Sequence, residues 1–163
     1  HYGSIYNNFS YKGFNLGVLF TYKYGFDVIN GNKHRMYANG YANFNQMGEM
    51  RDHWTPYNTD TDIPRADYED RNLTSRFVED GSFVRLQSIN LSYNLPSDVM
   101  QDIGLNSFKI YSNIDNVFLW TKYTGFDPEV SVARGQKAIT SQNLDYGAYP
   151  RTLNVRFGVK IGF

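Results

Sequence analysis

The sequence predicts an all-β fold: five antiparallel strands of a large transmembrane β-barrel. Three observations carry this prediction. From Thr152 onward the closing stretch RTLNVRFGVKIGF alternates without a break. Thr152, Asn154, Arg156, Gly158, Lys160 and Gly162 take one parity, and Leu153, Val155, Phe157, Val159, Ile161 and Phe163 the other. The composition is aromatic-rich yet hydrophilic, with 14 Tyr and 12 Phe among 163 residues, 20% charged residues and a mean hydropathy of −0.53. That combination suits strands with one face on lipid and one on water better than a packed interior. Finally, the connectors between alternating segments run short, long, short, long.

Five such segments follow one another. Gly3 to Ser10 is the weakest, with Ile5 and Phe9 sharing a face with Asn7. From Phe14 to Tyr24, Phe14, Leu16, Val18, Phe20, Tyr22 and Tyr24 oppose Asn15, Gly17, Thr21 and Lys23. From Ser82 to Leu95, Ile89, Leu91, Tyr93 and Leu95 oppose Ser88, Asn90, Ser92 and Asn94. Val84 and Leu86 have the opposite parity, which predicts a bulge near Gln87. From Phe108 to Phe118, Phe108, Ile110, Ile114 and Phe118 face one way, and Lys109, Tyr111, Asn113 and Asp115 the other. The terminal stretch is the fifth. Within the clean alternation of the second, fourth and fifth segments every charge takes the polar parity. A barrel requires this, because Lys or Arg at mid-depth on the lipid face costs roughly 2–4 kcal/mol. A soluble half-buried sheet has the same pattern, so alternation alone leaves both open.

The connectors separate them. A tight turn at Tyr11-Lys12-Gly13 joins the first two strands, and PSDVMQDIGLNS the third and fourth. Gly25 to Gly81 and Thr121 to Tyr149 are far longer. Compact soluble domains seldom contain such loops, whereas outer-membrane barrels have short periplasmic turns and long extracellular loops. On this reading Phe163 is periplasmic. Pro96 to Ser107 then lies at the periplasmic rim as a short helix, with Ser97 as N-cap and Gly104 as its stop. Five strands do not close a lipid-facing barrel, and an open edge leaves backbone groups unpaired in hydrocarbon. The chain, beginning at His1 without a Met or leader, therefore reads as a piece of something longer.

Other classes find little support. Sixteen basic and sixteen acidic residues form no basic stripe, so nucleic acid is not an expected partner. There is no Cys, and no apolar run approaches the roughly 18 residues of a membrane helix. His1, His34 and His53 lack metal-ligand spacing and read as exposed loop or terminal residues, and no nucleophile elbow or phosphate loop occurs. No enzymatic activity, cofactor or metal is expected. NTDTDIPRADYE places Asn58, Asp60, Asp62 and Glu69 at calcium-loop positions, but Ile63 stands where the loop needs Gly. A solvated acidic loop is the expected reading.

Several motifs together resemble the C-terminal part of the SusC/RagA-type TonB-dependent transporters, outer-membrane importers of glycans and peptides in Bacteroidetes. They are FSYKGFNLGVLFTYKYG, TDIPRA, RFVEDGSFVRLQSINLSYNLP, IYSNIDNVFLWTKYTGFDPEVS and YPRTLNVRFGVKIGF, in order over essentially the whole chain. The segment His34 to Arg51 resembles nothing assignable. The resemblance implies a barrel of about 22 strands around an N-terminal plug, these being the last five. It implies import of oligosaccharides or peptides energised by the TonB complex, with a SusD-like surface lipoprotein as lid. Recognition of Phe163 by the barrel-assembly machinery is implied as well. Within membranes the alternative is a siderophore- or vitamin-type receptor; outside them, a soluble all-β adhesive or carbohydrate-binding module.

Candidate site residues follow. Trp54, Tyr57, Tyr123 and Phe126 lie in the long loops, the last two beside Asp127 and Glu129. Aromatic faces near carboxylates suit sugar or peptide ligands, but loop packing or lid contact is the favoured reading for them. Tyr22, Tyr24 and Trp120 are expected as interface aromatics where strands meet outer-membrane lipid headgroups. Lys109, Asp115, Arg156 and Lys160 are expected to face the lumen; lining the transport path is open to them, and with the plug that the resemblance implies, pairing with the plug or with each other is the favoured reading.

Overall fold

A computed structural model describes residues 1–37, 45–66, 74–102, 104–130 and 143–163. The chain divides into two units. One comprises His1–Phe26, Ser82–Lys122 and Arg151–Phe163; the other comprises Asp27–Gly81 and Tyr123–Pro150.

The first unit is a five-stranded antiparallel sheet built from β1 (Tyr2–Tyr11), β2 (Phe14–Lys23), β5 (Phe83–Asn94), β6 (Ser107–Thr121) and β8 (Asn154–Gly162), in that spatial order. The β1–β2 hairpin closes on two residues, Lys12 and Gly13, both with positive φ (45° and 86°). Such turns match the right-handed twist of the flanking strands. Pairing places Ile5, Phe20, Leu86 and Phe118 in one row, and Phe14, Tyr93, Ile110 and Val159 in another. One face of the sheet is thus apolar across all five strands, with Asn7 and Ser112 as exceptions. Ile5, Phe9, Phe14, Leu91, Phe118 and Phe157 on it are all exposed. Monomeric soluble proteins rarely show apolar patches beyond a few hundred Å².

The bulge expected at Gln87 is present and belongs to a larger irregularity. Between the rows Leu19–Ser88–Asp115 and Phe20–Leu86–Phe118, β2 has no intervening residue and β5 has Gln87. In the same interval β6 has both Asn116 and Val117. Asn116 adopts φ 54°, and its side chain accepts a 3.2 Å hydrogen bond from Gln87 Nε2. Extra residues of this kind bend a sheet and increase its twist. They also shorten the terminal strand relative to the expectation. The β6–β8 ladder stops at Asp115–Asn154, and Asn116 Nδ2 instead donates to the Thr152 carbonyl at 2.9 Å.

Between β5 and β6 runs the short helix α2 (Ser97–Asp102). Gly104 ends it with φ 69°, as the sequence predicts. The N-cap differs by one position. Pro96 C=O accepts the first helical bond, from Met100 N at 3.2 Å, so Ser97 is already the first helical residue. No helix among the described residues is long and apolar enough to cross a membrane.

The second unit shows secondary structure in the described parts of the long connectors, which the period-2 reading did not anticipate. β3 (Asp27–Asn30) pairs antiparallel with β4 (Val78–Asp80) and parallel with β7 (Leu144–Asp145). Helix α1 (Gly31–Met36) follows β3 directly, its N-terminus capped by Asn30 Oδ1 accepting from Lys33 N at 2.9 Å. Tyr37, Met50 and Phe77 form a small core with Met47 and Ile63 against it. His34 packs edge-on against Phe77 with ring centres 4.9 Å apart, so it is half-buried, not an exposed loop histidine. Strands of two to four residues and one-turn helices carry too few residues to print a period, which is why they escape a pattern search.

Candidate functional site

In the second unit two carboxylates, the half-buried Glu79 and the buried Asp145, organise the loops. Glu79 on β4 accepts from Thr124 N (2.9 Å), from Thr124 Oγ1 (2.7 and 2.8 Å) and from Asn30 Nδ2 (3.3 Å). Lys33 Nζ forms an ion pair with it at 3.3 Å. Burial by itself would raise the Glu79 carboxyl, but the Thr124 hydrogen bonds and the Lys33 ammonium outweigh it and hold the group below its ordinary value. Asp145 on β7 accepts from the Tyr123 hydroxyl at 2.8 Å and from Asn32 Nδ2 at 3.1 Å. Asn32 Oδ1 in turn accepts from Gly147 N at 2.6 Å. Burial, reinforced by the Asp145 carboxylate, pushes the Tyr123 hydroxyl far above its ordinary range. Burial and the hydrogen bond to Glu49 push Tyr37 up to about 12. Sequence reasoning missed Glu79 and Asp145. Glu79 stands inside the quoted motif RFVEDGSFVRLQ, but nothing in its spacing points to Thr124 or Lys33.

These bonds hold the turn at Thr124–Phe126. Gly125 is required there, because a Cβ would overlap the ring of Tyr123. The predicted loop aromatics then separate into two groups. Trp54 is exposed, as are Phe126 at 77% and Tyr57 at 100%. Tyr123 (5%) and Asp127 (2%) are buried, and Asp127 Oδ1 accepts from Glu129 N at 2.9 Å. A direct ligand contact by Tyr123 or Asp127 is therefore replaced by a packing role, since neither offers a free surface. Phe126 borders a depression of about 200 Å³ also lined by Asn32, Met36, Met47, Glu49 and Gly125. Of the acidic-loop residues, Asn58 donates its amide to Asp52 Oδ1 at 2.8 Å, and Glu69 lies outside the described residues.

In the first unit, Lys109, Asp115, Arg156 and Lys160 share the polar face. Lys109 is the direct cross-strand partner of Lys160, Asn113 of Arg156, and Asp115 of Asn154. Arg156 forms a charge-assisted hydrogen bond with Asp115. Tyr22 and Trp120, two of the aromatics expected at the headgroups, lie on the opposite face near the ends of β2 and β6. Phe118 and Trp120 ring centres are 4.7 Å apart, and Phe20 lies 6.5 Å from Trp120. Tyr24 follows β2 and is exposed. Phe14 and Tyr93, 4.4 Å apart, form a second aromatic group near the hairpin end. Phe163 is exposed just past β8.

A sheet that is apolar on one face apart from Asn7 and Ser112, charged only on the other and, among the described residues, unpaired at the outer edges of β1 and β8 is a section of a β-barrel wall. Comparison with known proteins identifies which kind. The chain is 33% identical over 159 residues, 96% of its length, to the TonB-dependent receptor P3 of Formosa agariphila. It is 25% identical over 95 residues, 56% of its length, to the TonB-dependent receptor SusC of Bacteroides thetaiotaomicron. Among solved structures it matches the RagAB peptide importer in its closed-closed state, with a TM-score of 0.82 and 26% identity over 99% of the chain. The open-open state of RagAB matches with a TM-score of 0.77 at the same identity and coverage. No family model matches the chain. Sequence and fold together make it a SusC/RagA-type barrel segment of the TonB-dependent receptors. It spans 16% of the length of P3, 8% of SusC and 17% of the matched RagAB chain.

Proposed function

We propose that the chain forms part of the wall of an outer-membrane TonB-dependent active transporter that imports oligosaccharides or peptides together with a SusD-like surface lipoprotein. The observation that carries this reading is the exposed apolar face spanning five strands, set against a polar face that holds every charge of those strands. Lipid is the environment in which such a face is stable. The names of the relatives, TonB-dependent receptors and a peptide importer, support transport as the activity. The substrate class and the lipoprotein partner belong to this proposal alone.

In this reading the hairpin turn, α2 and Phe163 lie on the periplasmic side, and the loop unit lies outside. Trp54, Tyr57 and Phe126 contact the ligand or the lid. Tyr123 and Asp127 hold that surface in shape from within. Lys109, Asp115, Arg156 and Lys160 face the lumen, and Phe163 is read by the barrel-assembly machinery. Contact with the TonB complex is made by residues outside this sequence.

The test is uptake of labelled oligosaccharides and peptides by cells carrying the full-length protein, with and without an intact TonB system. Uptake of either class should require TonB and should fall in a Trp54→Ala/Phe126→Ala variant that still reaches the membrane. TonB-independent accumulation would sink the active-transport reading. A monodisperse, cooperatively unfolding preparation of residues 1–163 in buffer without detergent would instead favour a soluble module.

A further inference from the structure

The depression of about 200 Å³ beside Phe126 lies wholly within the loop unit. It is smaller than the roughly 300–1,000 Å³ of a pocket that encloses a whole small molecule. Its size suits one large side chain. Phe126, Met36 and Met47 supply the carbon surface of its lining, and Phe126 and Met36 are exposed.

The polar groups of the lining are already engaged. Asn30 Oδ1 accepts from Lys33 N at 2.9 Å, while its Nδ2 donates to Glu79 and Thr124, each at 3.3 Å. Asn32 bridges Asp145 and Gly147. Lys33 is paired with Glu79 at 3.3 Å, and Thr124 Oγ1 donates to the same carboxylate. The Tyr37 hydroxyl donates to Glu49. A sugar here would set its hydroxyls against groups that already have partners, and a polar group buried without a partner is unfavourable. An apolar side chain needs none of these groups and covers Met36, Met47 and Phe126 from water.

The two methionines narrow the occupant further. Methionine is unbranched and polarizable, so it re-packs around guests of different shape and makes favourable contacts with aromatic rings. Such a wall suits ligands of varied sequence, whereas a fixed protein partner is met by complementary packing. We propose that this depression is a subsite for a large apolar side chain, aromatic or aliphatic, of an imported peptide, with Met36, Met47 and Phe126 setting the preference. The inference rests on the import reading given above and narrows its ligand to peptides. One wall of the subsite is the turn that Glu79 holds through Thr124 N at 2.9 Å, so occupancy also steadies that turn.

The experiment is photo-cross-linking of the purified full-length protein in detergent, followed by peptide mapping. The probe is a short Gly/Ser peptide carrying one diazirine analogue of leucine. Label is expected on Met36, Met47 or Phe126. A competitor with Phe at the probe position should suppress it at concentrations at least about tenfold lower than one with Ser there. Bound Phe peptide should also slow hydrogen exchange at the Thr124 amide. Absence of label at all three residues overturns the proposal, as does equal competition by the Ser peptide. Suppression by a neutral oligosaccharide, or by a SusD-like lipoprotein with the Phe peptide without effect, overturns it too, assigning the depression to sugar or to the lid. Binding is read without the TonB complex. Failed uptake with intact labelling thus counts against the transport reading, and intact uptake without labelling against the subsite.

Discussion

The ring of Tyr111 lies over Gly158, its direct cross-strand partner on the polar face, so closely that a Cβ at position 158 would overlap the phenol. Tyr22 covers Gly3 in the same way on the apolar face, and Tyr6 reaches diagonally over Gly17. Each glycine removes a side chain so that an aromatic ring can lie on the backbone of the adjacent strand. This covers the glycine and pins the register. Gly158→Ala should therefore destabilise the assembled barrel by about 1–3 kcal/mol through overpacking. The folded fraction on heat-modifiability gels of the full-length protein reads this. A second change, Tyr111→Ser, should recover much of the loss; equal stability of Gly158→Ala and wild type would refute the packing role.

Neighbouring positions on β8 test which face meets lipid. Arg introduced at Val155 should lower assembly by roughly 2–4 kcal/mol, whereas Arg at Asn154 should be nearly neutral. Quantitative recovery of folded protein from outer membranes gives the comparison. Similar losses for both would contradict the assignment of faces.

Glu79 makes the loop unit acid-sensitive. Its carboxyl lies below the ordinary value of 4.5 when folded, so the stabilisation is present above 4.5 and fades as pH falls through the folded value. Glu79→Gln should raise hydrogen exchange at the Thr124 amide about tenfold at pH 7, the equivalent of roughly 1.4 kcal/mol. Below the folded value that difference should close. A difference independent of pH would show that charge is not the cause.

Alkali acts on the same unit through its tyrosines. Tyr37 and Tyr123 ionise above the ordinary value of 10, so their contribution is whole below pH 10 and is lost as pH rises through the folded values, about 12 for Tyr37. Spectrophotometric titration should leave these two phenols until last. Tyr123→Phe, which strips one donor from buried Asp145, should weaken the loop unit by about 1.5–3 kcal/mol. Proteolysis within the loops, assayed on intact barrels, would detect this; unchanged cleavage rates would argue against the bond.

The sheet is legible in the order of residues alone. A period of two tells which residues share a face, so strand positions, the polar placement of Lys109, Asp115, Arg156 and Lys160, and the bulge at Gln87 were all legible. So was Gly104, since ending a helix with positive φ favours glycine. Tertiary structure alone decided pairings between distant positions. Neither Tyr111 over Gly158 nor Glu79 beneath Thr124 leaves a local pattern, because register and loop packing set them. The loop aromatics separate for the same reason. Tyr123 and Phe126 look alike in sequence, yet one is buried over Asp145 and the other stands free. Composition records that a loop is aromatic; only the packed chain decides which rings remain available to a partner.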